Sequence, residues 1–371
     1  MSAGLRDKGS FGRPGPSQME AKNRETGYLV ATWVWWATSP AAPAPIAFRL
    51  HFLVAAVSVP RMGESRQTAG GHPGDSPRMI GVGGVFIDDI VLPSGETRMA
   101  SLGGAAVHAL MGAAVWGERA GIVAPIGRGF PDASIGFLEE NLDVRGLRRI
   151  GFEQMRAWQI AEEDGRRREL YRVAETKPFI EGLSPEDLPD AYDRGAAFYL
   201  LQAFDGVRRW RSKVGGFVLW EPLQQVMVPG ALGSFRAVLR DCPVDLVSPN
   251  LLEAQAVYGQ LSPEGLVEAM ISDGAAAVAL RLGAEGSLVA DATTEGPVWV
   301  KAATVARVVD STGAGNTYCG GLLAGIVQGR GLRAAAARGS VAASFCVETW
   351  GAVRPGAVDP AERDRRLAEV G

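Results

Sequence analysis

Residues Asp310–Gly321 read DSTGAGNTYCGG. Just before them, ATVARVVD (303–310) is an apolar, β-branched run that predicts a strand ending at Asp310. Just after, TYCGGLLAGIVQG predicts a helix with small residues on its packing face. A strand, a glycine-rich turn and a helix N-terminus together make an anion site. Gly313 and Gly315 allow the backbone to present its N–H groups, and the helix dipole adds positive potential. Thr312 can add a hydroxyl donor. Phosphoryl transfer depends on such a cradle, because its catalysis is largely positioning and charge stabilisation. The competing explanation is a tight turn that uses glycine only for geometry.

Two other nucleotide signatures are absent. No glycine is followed by the Lys and Ser/Thr of a P-loop, which excludes the common NTPase motif. GVGG at Gly81–Gly84 is too short for a dinucleotide fingerprint, and no G-x-G-x-x-G follows it, which argues against a Rossmann oxidoreductase.

From Met79 onward, short apolar runs alternate with helical stretches, the habit of an α/β domain with a parallel sheet. MIGVGGVFIDDIVLP opens with a strand, GGAAVHALMGAAVWG is a small-residue helix, and AGIVAPIG is another strand. GAAFYLLQAF, GGFVLWEP, VDLVSPN and AAVALRLG continue the series. Between Gly151 and Val173 the pattern becomes RAWQIAEEDGRRRELYRV, where Asp164-Gly165 predicts a hairpin turn between strands of mixed polarity. A hairpin that interrupts an α/β array, about 151–173, is a candidate lid.

Residues 1–77 differ in texture. They are rich in Gly, Pro, Ser and Ala, with apolar islands at Tyr28–Thr38 and Ile46–Pro60 that fall short of a membrane span of roughly 18 residues. A targeting segment, a peripheral anchor using Trp33, Trp35 and Trp36, and a disordered or mistranslated extension compete here. Glu20, Glu25 and Glu64 count against a transit peptide, and no amphipathic repeat supports an anchor. A low-complexity, disordered extension is the preferred reading, with 78–371 as the folded domain.

Composition restricts partners. The chain has 371 residues, 47% hydrophobic and 21% charged, enough for a large core. A net charge of −3 gives no electrostatic case for nucleic acid or an anionic membrane. Cys242, Cys319 and Cys346 are odd in number and far apart, so neither a disulfide framework nor a zinc site is expected, and a reducing compartment such as the cytosol fits. His51, His72 and His108 are too scattered for a metal cluster.

DSTGAGNTYCGG closely resembles the C-terminal signature of the ribokinase-like (PfkB) kinase family, usually D-T-x-G-A-G-D-x-F, and the resemblance runs from about Met79 to the C-terminus. It implies a three-layer α/β/α sandwich with a mainly parallel central sheet and a small β lid. It also implies an ATP-dependent kinase using Mg2+ and in some cases K+, acting on a sugar or related small molecule, as a monomer or lid-mediated homodimer. By that resemblance Gly313, Ala314 and Gly315 form the anion hole, and Asn316 stands where the family places its catalytic Asp. Asp89 would bind substrate hydroxyls, beside Gly103 and Gly104, with His108 where the family often has Asn.

VSPNLLEA resembles the N-x-x-E motif, whose Asn250 and Glu253 would hold metal and phosphates through water. The same spacing also makes a helix capping box, and both can hold at once. RLGAEGSLVA resembles the T-x-G-x-x-G nucleotide turn, keeping Gly283 and Gly286 but with Arg281 for Thr. Gln202, Trp220 and Glu221 fall on strand ends that line the family's cleft, Glu221 where Asp is usual. SVAASFCVETWGA, which contains Gly351, resembles the helix and loop beside the adenine and monovalent-cation sites, with Asp310 as the cation ligand and Thr312 near the nucleotide.

Asn has the shape of Asp but cannot accept a proton as a base. General-base help is worth about 10²–10⁴ in rate. Two outcomes stay open: a slow or rearranged kinase, or a pseudokinase that binds nucleotide or metabolite without turnover; together with LWEP, the Asn version resembles a divergent fungal branch of the family.

Overall fold

The computed structural model describes residues 76–371 except 164–166. The predicted N-terminal extension, but for its last two residues, and the Asp164-Gly165 turn lie outside the described residues.

Strand β1 (Met79–Val82) is followed by β2 (Phe86–Val91) and β3 (Thr97–Gly103), then α1 (Ala105–Ala114), β4 (Gly121–Arg128), α2 (Asp132–Asn141) and β5 (Asp143–Glu153). Next come β6 (Arg156–Ala161), β7 (Arg167–Tyr171) and the short helix α3 (Lys177–Ile180). The chain then alternates β8 (Ala197–Gln202), α4 (Phe204–Arg211), β9 (Val218–Pro222), α5 (Leu232–Asp241), β10 (Leu246–Val247), α6 (Leu251–Tyr258), α7 (Pro263–Ser272) and β11 (Ala277–Arg281). Strands β12 (Ser287–Asp291) and β13 (Val298–Val300) precede α8 (Ala314–Val327), α9 (Leu332–Val347) and α10 (Pro360–Val370).

The large sheet has the order β13-β12-β11-β10-β9-β8-β1-β4-β5. Its pairs are parallel from β11 through β5, while β12 and β13 extend one edge antiparallel. Parallel strands are covered on both faces, which explains runs such as AFYLLQ and VLWEP that are apolar at nearly every position. Alternation divides them. Tyr199, Leu219 and Ala279 pack with α1, α8 and α9, whereas Phe198, Leu200, Trp220 and Leu280 pack with α4 to α7. The architecture is the predicted three-layer α/β/α sandwich.

A second sheet has the order β3-β2-β6-β7. The predicted hairpin at 151–173 supplies β6 and β7, antiparallel to each other, but β2 and β3 make up the other half. The lid therefore begins at Phe86, far earlier in the chain than expected. One apolar stretch, MIGVGGVFIDDIVLP, feeds both sheets, β1 to the large one and β2 to the lid.

One strand expectation fails. ATVARVVD is not a strand, and the nearest one ends at Val300. Its N–H groups find other partners: Ala303 donates to Ser340 Oγ (2.9 Å), Ala306 to Glu348 Oε1 (2.7 Å), and Val309 to the Val347 carbonyl (2.7 Å). The β-branched pattern was no guide because Val308 is exposed rather than packed into a layer.

Candidate active site

In doubly wound sheets, ligands bind beyond the carboxyl ends of the strands. Three strands here carry polar side chains on the α8 face, set there by alternation: Tyr199 within β8, Glu221 near the end of β9 and Arg281 at the end of β11. Neighbouring Trp220 and Gln202 face the other layer. Trp220 stacks near Phe235 (5.6 Å between ring centroids) and donates to the Gln202 carbonyl (2.9 Å). Of the strand-end residues expected to line a cleft, Glu221 alone reaches the α8 face.

The turn before α8 is the one predicted to cradle an anion. Gly313 is the N-cap of α8 and is left-handed (φ 74°), a conformation that strains any other L-residue. A β-carbon there would also lie 2.1 Å from His108 Nδ1. His108 is thus buried behind the turn, next to Cys346 Sγ (3.9 Å). Asp310 braces the turn through Oδ1, which accepts from Thr312 N–H (2.9 Å), while Oδ2 accepts from Gly351 N–H (3.4 Å). Thr312 is buried behind the same turn. At the α8 N-terminus, Ala314 N–H donates to the Ser311 carbonyl (3.3 Å) and Thr317 N–H to the Gly313 carbonyl (2.8 Å).

Against this cradle lies a buried charge network. Arg281 Nη1 is 2.7 Å from Glu221 Oε1, and Nη2 is 3.6 Å from Glu253 Oε2 and 2.9 Å from the Ser248 carbonyl. A β-carbon at Gly315 would lie 2.2 Å from Arg281 Nη1, so the guanidinium rests directly on the turn. Asn316 Nδ2 donates to both Glu221 oxygens (3.0 Å each) and lies 3.2 Å from Tyr199 Oη, which itself donates to Glu221 Oε2 (2.7 Å). Burial pushes the Tyr199 phenol and the Cys319 thiol well up, and Glu221 adds to both shifts, so both groups are neutral. Burial opposes the charge on Arg281, but Glu221 and Glu253 more than offset it and hold the guanidinium protonated.

On the lid side, Asp89 is fully buried and committed. Arg156 binds it in a fork (Nε–Oδ2 2.7 Å, Nη2–Oδ1 2.8 Å), Arg172 pairs with it, and Ala100 N–H donates to Oδ1 (2.9 Å). Burial raises the Asp89 pKa, but these donors outweigh it and hold the carboxyl below its usual range. The preceding residue faces the other way. Asp88 Oδ2 occupies the space of a side chain at Gly103, 1.9 Å from where its β-carbon would be, and Asp88 Oδ1 accepts from Gln159 (3.1 Å). Gly104 is the N-cap of α1. Asp88, not Asp89, is therefore the carboxylate at the glycine pair. In a run of two Asp, strand alternation sends them to opposite faces, and a bulge between Asp88 and Ile90 sets which face each takes.

Asn250 and Glu253 form the reciprocal capping box of α6: Asn250 N–H donates to Glu253 Oε2 (2.8 Å), and Glu253 N–H donates to Asn250 Oδ1 (2.9 Å). The cation beside Glu253 is Arg281. Among the described residues no group of three or more acidic, His or Cys side chains could hold a metal ion. These residues do not form a protein cage for Mg2+, which kinases commonly bind through one or two carboxylates plus the nucleotide phosphates. Gly283 and Gly286 bracket the tight turn between β11 and β12, just beyond Arg281.

Arg281, a departure from the family's turn, and Glu221, a lengthened acid, are visible in the sequence singly but not as a pair. The available signal was two opposite charges ending apolar parallel strands, where an unpaired charge is costly.

The profile of the pfkB family of carbohydrate kinases matches residues 223–357. The 2-dehydro-3-deoxygluconokinase of Bacillus subtilis (strain 168) is 32% identical over 33% of this chain and 36% of its own length. The cytidine kinase of Thermococcus kodakarensis is 26% identical over 74% of this chain and 97% of its own length. The chain thus spans about a third of the first relative and nearly all of the second. Among solved structures, the Arabidopsis thaliana ribokinase complexed with ribose and ATP superposes with a TM-score of 0.63 at 20% identity, covering 79% of this chain and 99% of that one.

Proposed function

We propose that this chain, whose residues 223–357 match the pfkB family of carbohydrate kinases, transfers the terminal phosphoryl group of ATP to a hydroxyl of a sugar or sugar-containing small molecule. The products are a phosphate monoester, ADP and the hydroxyl proton. The observation that carries this proposal is the α8 N-terminus: left-handed Gly313 begins the helix, and the Arg281 guanidinium, paired with Glu221, lies over Gly315.

Asn316 acts as an orienter in this scheme. Its nitrogen is committed to an acceptor-only carboxylate, which leaves the amide oxygen to accept a hydrogen bond from the attacking hydroxyl. Phosphoryl transfer through a loose transition state asks mainly for alignment and charge stabilisation, so loss of the base slows the reaction rather than abolishing it. Asp88 beside Gly103 and Gly104 is the proposed hydroxyl anchor, replacing Asp89, whose oxygens the lid arginines hold.

Mg2+ enters with ATP as part of the substrate, its ligands being mainly phosphate oxygens and water. Monovalent-cation binding at Asp310 competes with two backbone N–H groups that already occupy that carboxylate. Three free, buried cysteines fit a reducing compartment such as the cytosol, and among the described residues no helix is long and apolar enough to cross a membrane.

The test is ADP production from Mg-ATP with pentoses, hexoses, sugar acids and nucleosides as acceptors. Acceptor-dependent ADP release, reduced in Gly313→Ala, supports phosphoryl transfer. ATP binding without acceptor-dependent release from any of these compounds favours a nucleotide-binding protein without turnover.

A further inference from the structure

The position of Arg281 on the signature turn has a chemical consequence. Its side chain is buried, its Nη1 contacts the space over Gly315, and its Nε is buried without a hydrogen-bond partner. A buried, unpartnered donor is costly, and it marks a place where a ligand oxygen completes the structure. The guanidinium also stands between the α8 N-terminus and the α6 capping box at Asn250 and Glu253.

Resting on the kinase function proposed above, we propose that the Arg281 guanidinium is a fixed contact for the terminal phosphate of the nucleotide, completing the anion hole of Gly313–Gly315 with a protein-borne positive charge. Glu221 and Glu253 hold the planar group in place through Nη1 and Nη2, and the Ser248 carbonyl takes a further Nη2 hydrogen. The Nε edge then remains for a phosphate oxygen, the geometry at which arginine outperforms a point-charge ammonium. Because this cation belongs to the chain, recognition of the third phosphate does not depend on a divalent ion. ATP is therefore preferred over ADP even when divalent metal is chelated.

Isothermal titration of the full chain with ATP and with ADP, each in Mg2+ and in excess EDTA, tests this. Wild type in EDTA is expected to bind ATP about tenfold to a hundredfold more tightly than ADP, the range of a charge-assisted hydrogen bond. Arg281→Met combined with Glu221→Gln, which avoids stranding the Glu221 carboxylate, is expected to lose that preference while ADP affinity stays within about twofold. Arg281→Lys keeps the charge but not the fork and is expected to fall between them. Should the double variant fail to fold, the wild-type ratio in EDTA and the Arg281→Lys ratio still decide the question. A preference for ATP that appears only with Mg2+, or that survives unchanged in the Arg281 variants while ADP binds normally, overturns the role of Arg281 alone. No affinity for either nucleotide in any buffer overturns the kinase function and this proposal together.

Discussion

Asn316 Nδ2 sits 3.0 Å from each carboxylate oxygen of Glu221, so the amide at the signature position is held by an acid on the neighbouring strand end. Restoring Asp at position 316 alone would place two carboxylates in direct contact. Like charges at that distance cannot both ionise freely, and one pKa rises.

Asn316→Asp is accordingly expected to destabilise the chain by about 1–3 kcal/mol near neutral pH. The sign of the pH effect follows from the raised folded-state pKa of the carboxyl pair. The penalty is absent below the unfolded carboxyl value and develops as pH rises through the folded one. Urea denaturation across pH 4–8 reads this, and Asn316→Asp with Glu221→Gln should remove the pH dependence. That double variant also restores a base at position 316 and should raise kcat by a factor on the order of 10².

Arg281 and Glu221 are a buried pair, with side chains 10% and 5% exposed. Arg281→Met leaves Glu221 and Glu253 without their cation and should cost about 3–5 kcal/mol in chemical denaturation. Adding Glu221→Gln should recover part of that loss. If Arg281→Met melts like wild type, the network contributes nothing to the fold.

Gly313→Ala combines a left-handed backbone with a β-carbon driven into His108. A loss of about 1–3 kcal/mol from backbone strain, together with a weakened ATP titration, is expected. His108→Ala in the same chain should return some stability by opening space, but not the portion due to φ.

The lid has its own pH signature. Asp89 is held below its ordinary pKa of 3.8, against burial, by Arg156, the Ala100 N–H and Arg172. A depressed folded pKa gives stability that is present above the unfolded value and lost as pH falls through the folded one. Acid titration of stability should show this loss in wild type, and Asp89→Asn should flatten it.

The layered fold was legible because parallel strands buried on both faces leave long apolar runs, as in AFYLLQ and VLWEP, and because TYCGGLLAGIVQG carries the small residues of a tightly packed helix. The tight turn before α8 was legible from Gly313 and Gly315. What sequence spacing did not convey was direction. Asp88 and Asp89 look interchangeable in a string, yet a bulged strand turns one to the glycine pair and the other to two arginines. Likewise Glu221 and Arg281 are sixty positions apart, and only the parallel order β9-β10-β11 brings them together. The ATVARVVD run misled because β-branched composition says nothing about whether a neighbouring strand is present to pair with it.

The most direct measurement follows the label from γ-32P-ATP in wild-type protein with Mg2+ and the acceptor panel. Recovery of label in an acceptor phosphate monoester, continuing past one equivalent per protein, is the predicted result. Label that remains in ATP, or is released only as inorganic phosphate while ATP is demonstrably bound, contradicts the account.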